Sequence, residues 1–155
     1  MEVKSDYRAE LENKGAIAFV PRGNSMWPII KNKSQSVVIG KKEHRLTKYD
    51  VAFYERANGT FVLHRVLEVT DTGYVCCGDS QFSLEKVNEE QVFGVMIGFY
   101  RGKNYVERSN AKYIKSVERW YKRKTWRKMR LKCFYFSNRV KNKLKKLFKG
   151  KTENV

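Results

Sequence analysis

Cysteine is scarce in this 155-residue chain and comes in an odd number: Cys76, Cys77 and Cys133. Three thiols cannot close a disulfide framework, and no second cysteine pair exists to complete a zinc site around adjacent Cys76 and Cys77. Reduced thiols, buried or idle, are the expectation, and they lean towards a reducing compartment. Long apolar runs are missing too. No stretch reaches the roughly 18 consecutive apolar residues of a membrane-spanning helix. The opening MEVKSDYRAELENK is too charged for a secretory signal. The expected location is therefore the cytoplasm or the cytoplasmic side of a membrane, with any membrane contact peripheral. Proline occurs only at Pro21 and Pro28, and residues 111–149 contain neither proline nor glycine. Histidine occurs only at His44 and His64, so imidazole chemistry has two places to occur. Neither a cofactor nor a metal is expected.

The charge present is unevenly spread. Residues 1–110 hold 16 Lys/Arg and 14 Asp/Glu, whereas residues 111–155 hold 17 Lys/Arg and 2 Asp/Glu. Basicity therefore belongs to the tail, and the first two thirds are electrostatically ordinary. A boundary after Asn110 gives three segments: a polar stretch at 1–15 with a short helix over 4–13, a central domain at 16–110, and a basic tail at 111–155.

The central segment reads as strands. AIAFV runs into Pro21, and SVVIG (36–40) ends in a glycine followed by charges. Asn58-Gly59 between two apolar-rich runs is a strong hairpin signal. Asp71-Thr72-Gly73 and Arg101-Gly102 predict two more hairpins. At least six short strands without long helices between them imply a mainly β, antiparallel domain, partly closed and barrel-like. In the tail the period changes. Trp126, Met129, Cys133, Phe136, Val140, Leu144 and Leu147 step by three or four, which lines one helical face among Lys and Arg. The spacing predicts one long helix over 111–149, or two joined near 121–126, with Gly150 as a stop.

Chemistry could reside in GNSMWP at 23–28. Gly23 and Pro28 around Ser25 predict a sharp turn that presents the hydroxyl, with backbone N–H groups free to face a developing oxyanion. A serine hydroxyl needs a base to become a nucleophile. His44 lies in a charged, exposed connection. His64 lies in VLHRV, within a strand flanked by apolar residues, where an imidazole needs a polar reason to be. Each piece also has an ordinary reading: Ser-x-x-Pro is common in turns, a strand histidine is usually a hydrogen-bonded core residue, and Asp79 could cap a turn.

In order, GNSMWP, YDV (49–51), VLHRV, GDS (78–80) and VFGVMIG (92–98) resemble the superfamily of type I signal peptidases and self-cleaving repressors. The likeness is to the branch in which His-Arg replaces the catalytic lysine, and it covers about residues 16–107. The resemblance implies Ser25 as nucleophile, His64 as base and Asp79 as the acid that orients His64, with Arg65 in a structural ion pair. The oxyanion hole would rest on the turn of Gly23, Ser25 and Met26, with a second donor unidentified, since Gly23 stands where some members carry a hydroxyl. Tyr49-Asp50 replaces the family's usual Gly-Asp, and the family's membrane anchor is missing.

The implied activity is a serine endopeptidase that processes a signal- or leader-type peptide, extended and with small residues before the cut. The alternative is a non-catalytic basic adaptor. For the tail, Trp120, Trp126 and Phe136 make the apolar arc wider than phosphate binding needs. A docked partner or an anionic membrane surface is therefore expected ahead of plain packing, with nucleic acid last.

Overall fold

The computed structural model describes residues 7–31 and 35–152, with side-chain surroundings as far as residue 141. The polar opening forms helix α1 (Tyr7–Lys14), which buries Leu11 alone. Leu11 comes close to the sheet where Gly94 offers no side chain: a Cβ there would lie 3.1 Å from Leu11 Cδ2 and 2.7 Å from Ile39 Cγ2. Eight strands follow: β1 (Ala16–Phe19), β2 (Val37–Lys41), β3 (Val51–Glu55), β4 (Phe61–Thr70), β5 (Gly73–Cys77), β6 (Glu85–Asn88), β7 (Val92–Arg101) and β8 (Asn104–Glu107). The three predicted hairpins join β3 to β4, β4 to β5 and β7 to β8. Gly59 and Gly102 turn with φ of 75° and 63°, a region open to glycine because it lacks a Cβ. Strand β6 has no strand-like sequence signal; of EKVN only Val87 is buried.

All pairings are antiparallel, in the order β1-β2-β7-β3-β4-β5-β6, with β8 also on β7. The expected barrel-like closure does not form: the path ends on β1 and β6, and the sheet is open. The reason lies in two adjacent residues of β3. Phe53 touches Phe19 of β1, ring centroids 5.5 Å apart. Tyr54 donates a hydrogen bond of 2.8 Å to Glu85 of β6. Each contact spans three strand spacings, about 14 Å along a flat sheet, so the sheet must curl to make either one. Neighbouring residues of a strand point to opposite faces. The two ends therefore curl to opposite sides, which keeps β1 and β6 apart. One curl encloses Tyr7, Phe19, Phe53, Phe61 and Phe93, paired at 5.0–5.9 Å. The other encloses Ala52, Tyr54, Val62, Val66, Cys76 and Val87.

The chain divides into two compact units, one up to Val117 and one from Glu118 onward. The boundary thus falls seven residues beyond the expected one. Helix α2 (Ala111–Lys122) begins in the first unit, where the Tyr113 ring packs 5.4 Å from Phe99. Helix α3 (Lys124–Thr152) follows a break at Arg123, inside the predicted junction, and continues through Gly150, the expected stop. No helix among the described residues is long and apolar enough to cross a membrane.

Candidate active site

Ser25 sits in the irregular segment between β1 and β2. Gly23 takes φ of 84°, which turns the chain, and a tight turn follows with Trp27 N–H donating to Asn24 O (3.0 Å) and Ile30 N–H to Met26 O (2.9 Å). The turn is clamped from outside. Ser80 donates its N–H to Ser25 O and its hydroxyl to Asn24 O, each at 2.8 Å. Gly78 permits that approach: a Cβ there would stand 2.8 Å from Ser25 O. Met26 is buried, while Ser25 is half-exposed. Among the described residues, neither the Ser25 hydroxyl nor the backbone N–H of Ser25 or Met26 has a hydrogen-bond acceptor. One turn thus presents a hydroxyl and two backbone N–H groups, none of them engaged among the described residues.

Ser25 and His64 line the same cleft, of about 920 Å³, together with Phe19, Phe53, Phe61 and Leu63 and the cations Arg22 and Arg56. They make no direct hydrogen bond. His64 is 3% exposed and pairs across the sheet with Ala52. Its Nδ1 lies 3.3 Å from Tyr54 Oη and 3.5 Å from Glu85 Oε1, and Nε2 has no hydrogen-bond partner among the described residues. Burial pushes the His64 pKa below its ordinary 6.5; Glu85 and Asp79 oppose this and Arg56 reinforces it. The imidazole is consequently unprotonated at neutral pH, the state a general base requires.

Asp79 is not where an orienting acid would be. It is fully buried, and both its oxygens accept from Arg65: Nε to Oδ1 and Nη2 to Oδ2, each at 2.7 Å. His64 and Arg65 are adjacent in β4, so they face opposite sides of the sheet, and Asp79 lies on the side of Arg65. Arg65 Nη1 also donates to Tyr49 O (2.9 Å) and Tyr113 Oη (3.1 Å). The structural ion pair expected of Arg65 is thus the one Asp79 completes. It anchors the 78–81 turn, and through Ser80 that turn holds the turn of Ser25. Tyr49 has φ of 76°, the left-handed backbone that a glycine at this position would adopt without strain.

Tyr54 and Glu85 are the site residues that sequence reasoning missed. Cys76 and Cys77 are buried free thiols, the former with its pKa pushed by burial to about 12, and Cys133 is an exposed one. In the second unit, Trp126, Met129 and Phe136 of the predicted stripe are exposed at 39%, 58% and 71%. Trp120, expected on that surface, is instead 4% exposed, edge-on to Trp126 at 5.6 Å and beside the Arg127 guanidinium. Comparison with known protein families, curated proteins and solved structures returns no match for this chain.

Proposed function

We propose that this protein is a serine endopeptidase that cuts extended peptides, with Ser25 as nucleophile and His64 as general base. The observation that carries the reading is that one cleft is lined by both a presented, unengaged serine hydroxyl and a neutral imidazole whose other nitrogen is already held. In the reaction, His64 Nε2 takes the Ser25 proton as Oγ bonds to the scissile carbonyl carbon. The carbonyl electron pair moves to oxygen, where the N–H groups of Ser25 and Met26 donate to it. Collapse breaks the C–N bond, and the imidazolium passes its proton to the leaving amine. Water, deprotonated by the same imidazole, then attacks the acyl-serine carbonyl; the C–Oγ bond breaks, and the imidazolium returns its proton to Ser25 Oγ. The peptide lies beside β1, which among the described residues pairs on one edge alone, with β2, and runs into the cleft at Phe19. Main-chain pairing there supplies affinity, and the apolar lining selects side chains. Mass spectrometry of a degenerate peptide pool is expected to give cuts after small residues. A pool left intact by the protein, or cut equally by its Ser25→Ala variant, removes the reading.

The second unit supplies location. Its exposed stripe of Trp126, Met129 and Phe136 belongs to a segment, residues 118–155, with 15 Lys/Arg and 2 Asp/Glu, a combination suited to lying flat in an anionic lipid surface. The 155-residue chain should bind phosphatidylglycerol vesicles, less tightly as salt is added. The Trp126→Ala/Phe136→Ala variant should lose that binding while still cutting soluble peptide. Unchanged binding by the variant would mean that charge alone, as towards nucleic acid, is responsible.

A further inference from the structure

We infer that Glu85, acting through Tyr54, does the work that the family resemblance implies for Asp79: it fixes the tautomer and orientation of His64. The inference rests on the Ser25–His64 reading above and names the positioning residues of that site.

The argument is one of proton ownership. Tyr54 Oη donates to Glu85 Oε2 at 2.8 Å. A phenol has one proton, so at 3.3 Å from His64 Nδ1 the same oxygen can only accept. His64 must then carry its proton on Nδ1, and Glu85 Oε1 lies 3.5 Å away, near enough for its charge to act on the ring though it makes no hydrogen bond to it. The neutral ring keeps a bare lone pair on Nε2, the nitrogen available to Ser25. The charge states that this requires are in place. Burial, then the hydrogen bond to Glu85, holds the Tyr54 hydroxyl far above its usual pKa of 10.0, so it stays protonated. Burial alone would raise the Glu85 carboxyl, but hydrogen bonds from Arg56 and Tyr54 outweigh it and keep the group ionised. Arg56 grips Glu85 with Nε at 3.0 Å and with Nη2, which locks the carboxylate in the orientation that meets Tyr54. Four groups bear on the His64 charge: Glu85 from β6, Arg56 from the turn after β3, Tyr54 from β3, and Asp79 from the turn after β5. Of the two acids, Glu85 alone reaches the ring, because Asp79 has both oxygens on Arg65. In the transition state the ring becomes an imidazolium, and Glu85 stabilises that charge while Tyr54 holds its plane.

Nitrogen-15 spectra of the imidazoles test this without a substrate, and only His44 and His64 contribute signals. At pH 7 His64 should be the Nδ1–H tautomer. Tyr54→Phe removes the acceptor and should give a tautomer mixture, while Glu85→Gln should move the His64 titration to lower pH by removing the anion that opposes Arg56. Where a pool peptide is cut, Glu85→Gln should lower kcat on the order of 10²-fold. That is less than the ~10⁴ lost with a directly bonded acid, and KM should hold. A Glu85→Asp variant should recover part of the rate. An Nε2–H tautomer in the wild type, or a tautomer and titration unmoved by both substitutions, overturns the inference even if peptides are cut. The expected spectra together with an uncut pool sustain the relay and sink the peptidase reading instead.

Discussion

Ser25→Ala and His64→Ala are each expected to lower kcat/KM for a cleaved peptide by about 10⁴- to 10⁶-fold, and the double variant should be no worse than the weaker single one. The two groups act as a unit. Without the hydroxyl the imidazole has no nucleophile to deprotonate, and without the imidazole the hydroxyl stays a weak one. What survives is the contribution of binding and of the backbone donors at Ser25 and Met26. In the wild type kcat/KM should rise with pH as His64 loses its proton. Burial lowers that pKa from 6.5, so the half-maximum should fall below pH 6.5. A lysine base would need alkaline conditions. If the two single losses multiply in the double variant, Ser25 and His64 do not work on one proton, and the assignment fails.

Asp79→Ala is expected to destabilise the first unit by about 3–5 kcal/mol, because it strands the Arg65 guanidinium, which is fully buried. For a unit of this size that lowers Tm by roughly 10 °C or more. Replacing both partners with apolar residues, Arg65→Met with Asp79→Leu, should cost less than Asp79→Ala alone, since no unpaired charge remains. The expectation separates two roles for one carboxylate. An orienting acid, once removed, would leave Tm nearly unchanged and depress the rate. A structural partner lowers Tm first and loosens the Ser25 turn through Ser80 as a consequence.

The part of this arrangement that was legible in the sequence is the local part. Asn58-Gly59 and Arg101-Gly102 announce hairpins because turn geometry is set by the residues in the turn. Gly23 and Pro28 announce the presented serine for the same reason. A buried imidazole between Leu63 and Arg65 announces a polar demand without saying what meets it. Tyr54 and Glu85 meet it, and no spacing rule links them. Their contact exists because the sheet curls across β4 and β5, a property of all the strands together. The same curl explains the open sheet, for which a count of short strands predicts closure. Asp79 was misread because GDS fits an orienting acid by order along the chain, whereas its partner is decided by which face of β4 each neighbour occupies. The tail's period lines Trp126 and Phe136 along one helical face, and both are exposed. It could not show that Trp120, beyond the break at Arg123, would be covered.

The most direct test of the coupling between Ser25 and His64 needs no substrate. Ser25→Cys in a Cys133→Ser background leaves the introduced thiol as the accessible one, since Cys76 and Cys77 are buried. Its rate of alkylation by iodoacetamide is measured across pH 4–10, with and without His64→Ala. With His64 present, the thiol should hand its proton to Nε2 and react well below the ordinary thiol pKa of about 8.5. With His64→Ala the titration should return to that ordinary value. A thiol that titrates near 8.5 in both backgrounds would contradict the account, because residue 25 would then have no base within reach.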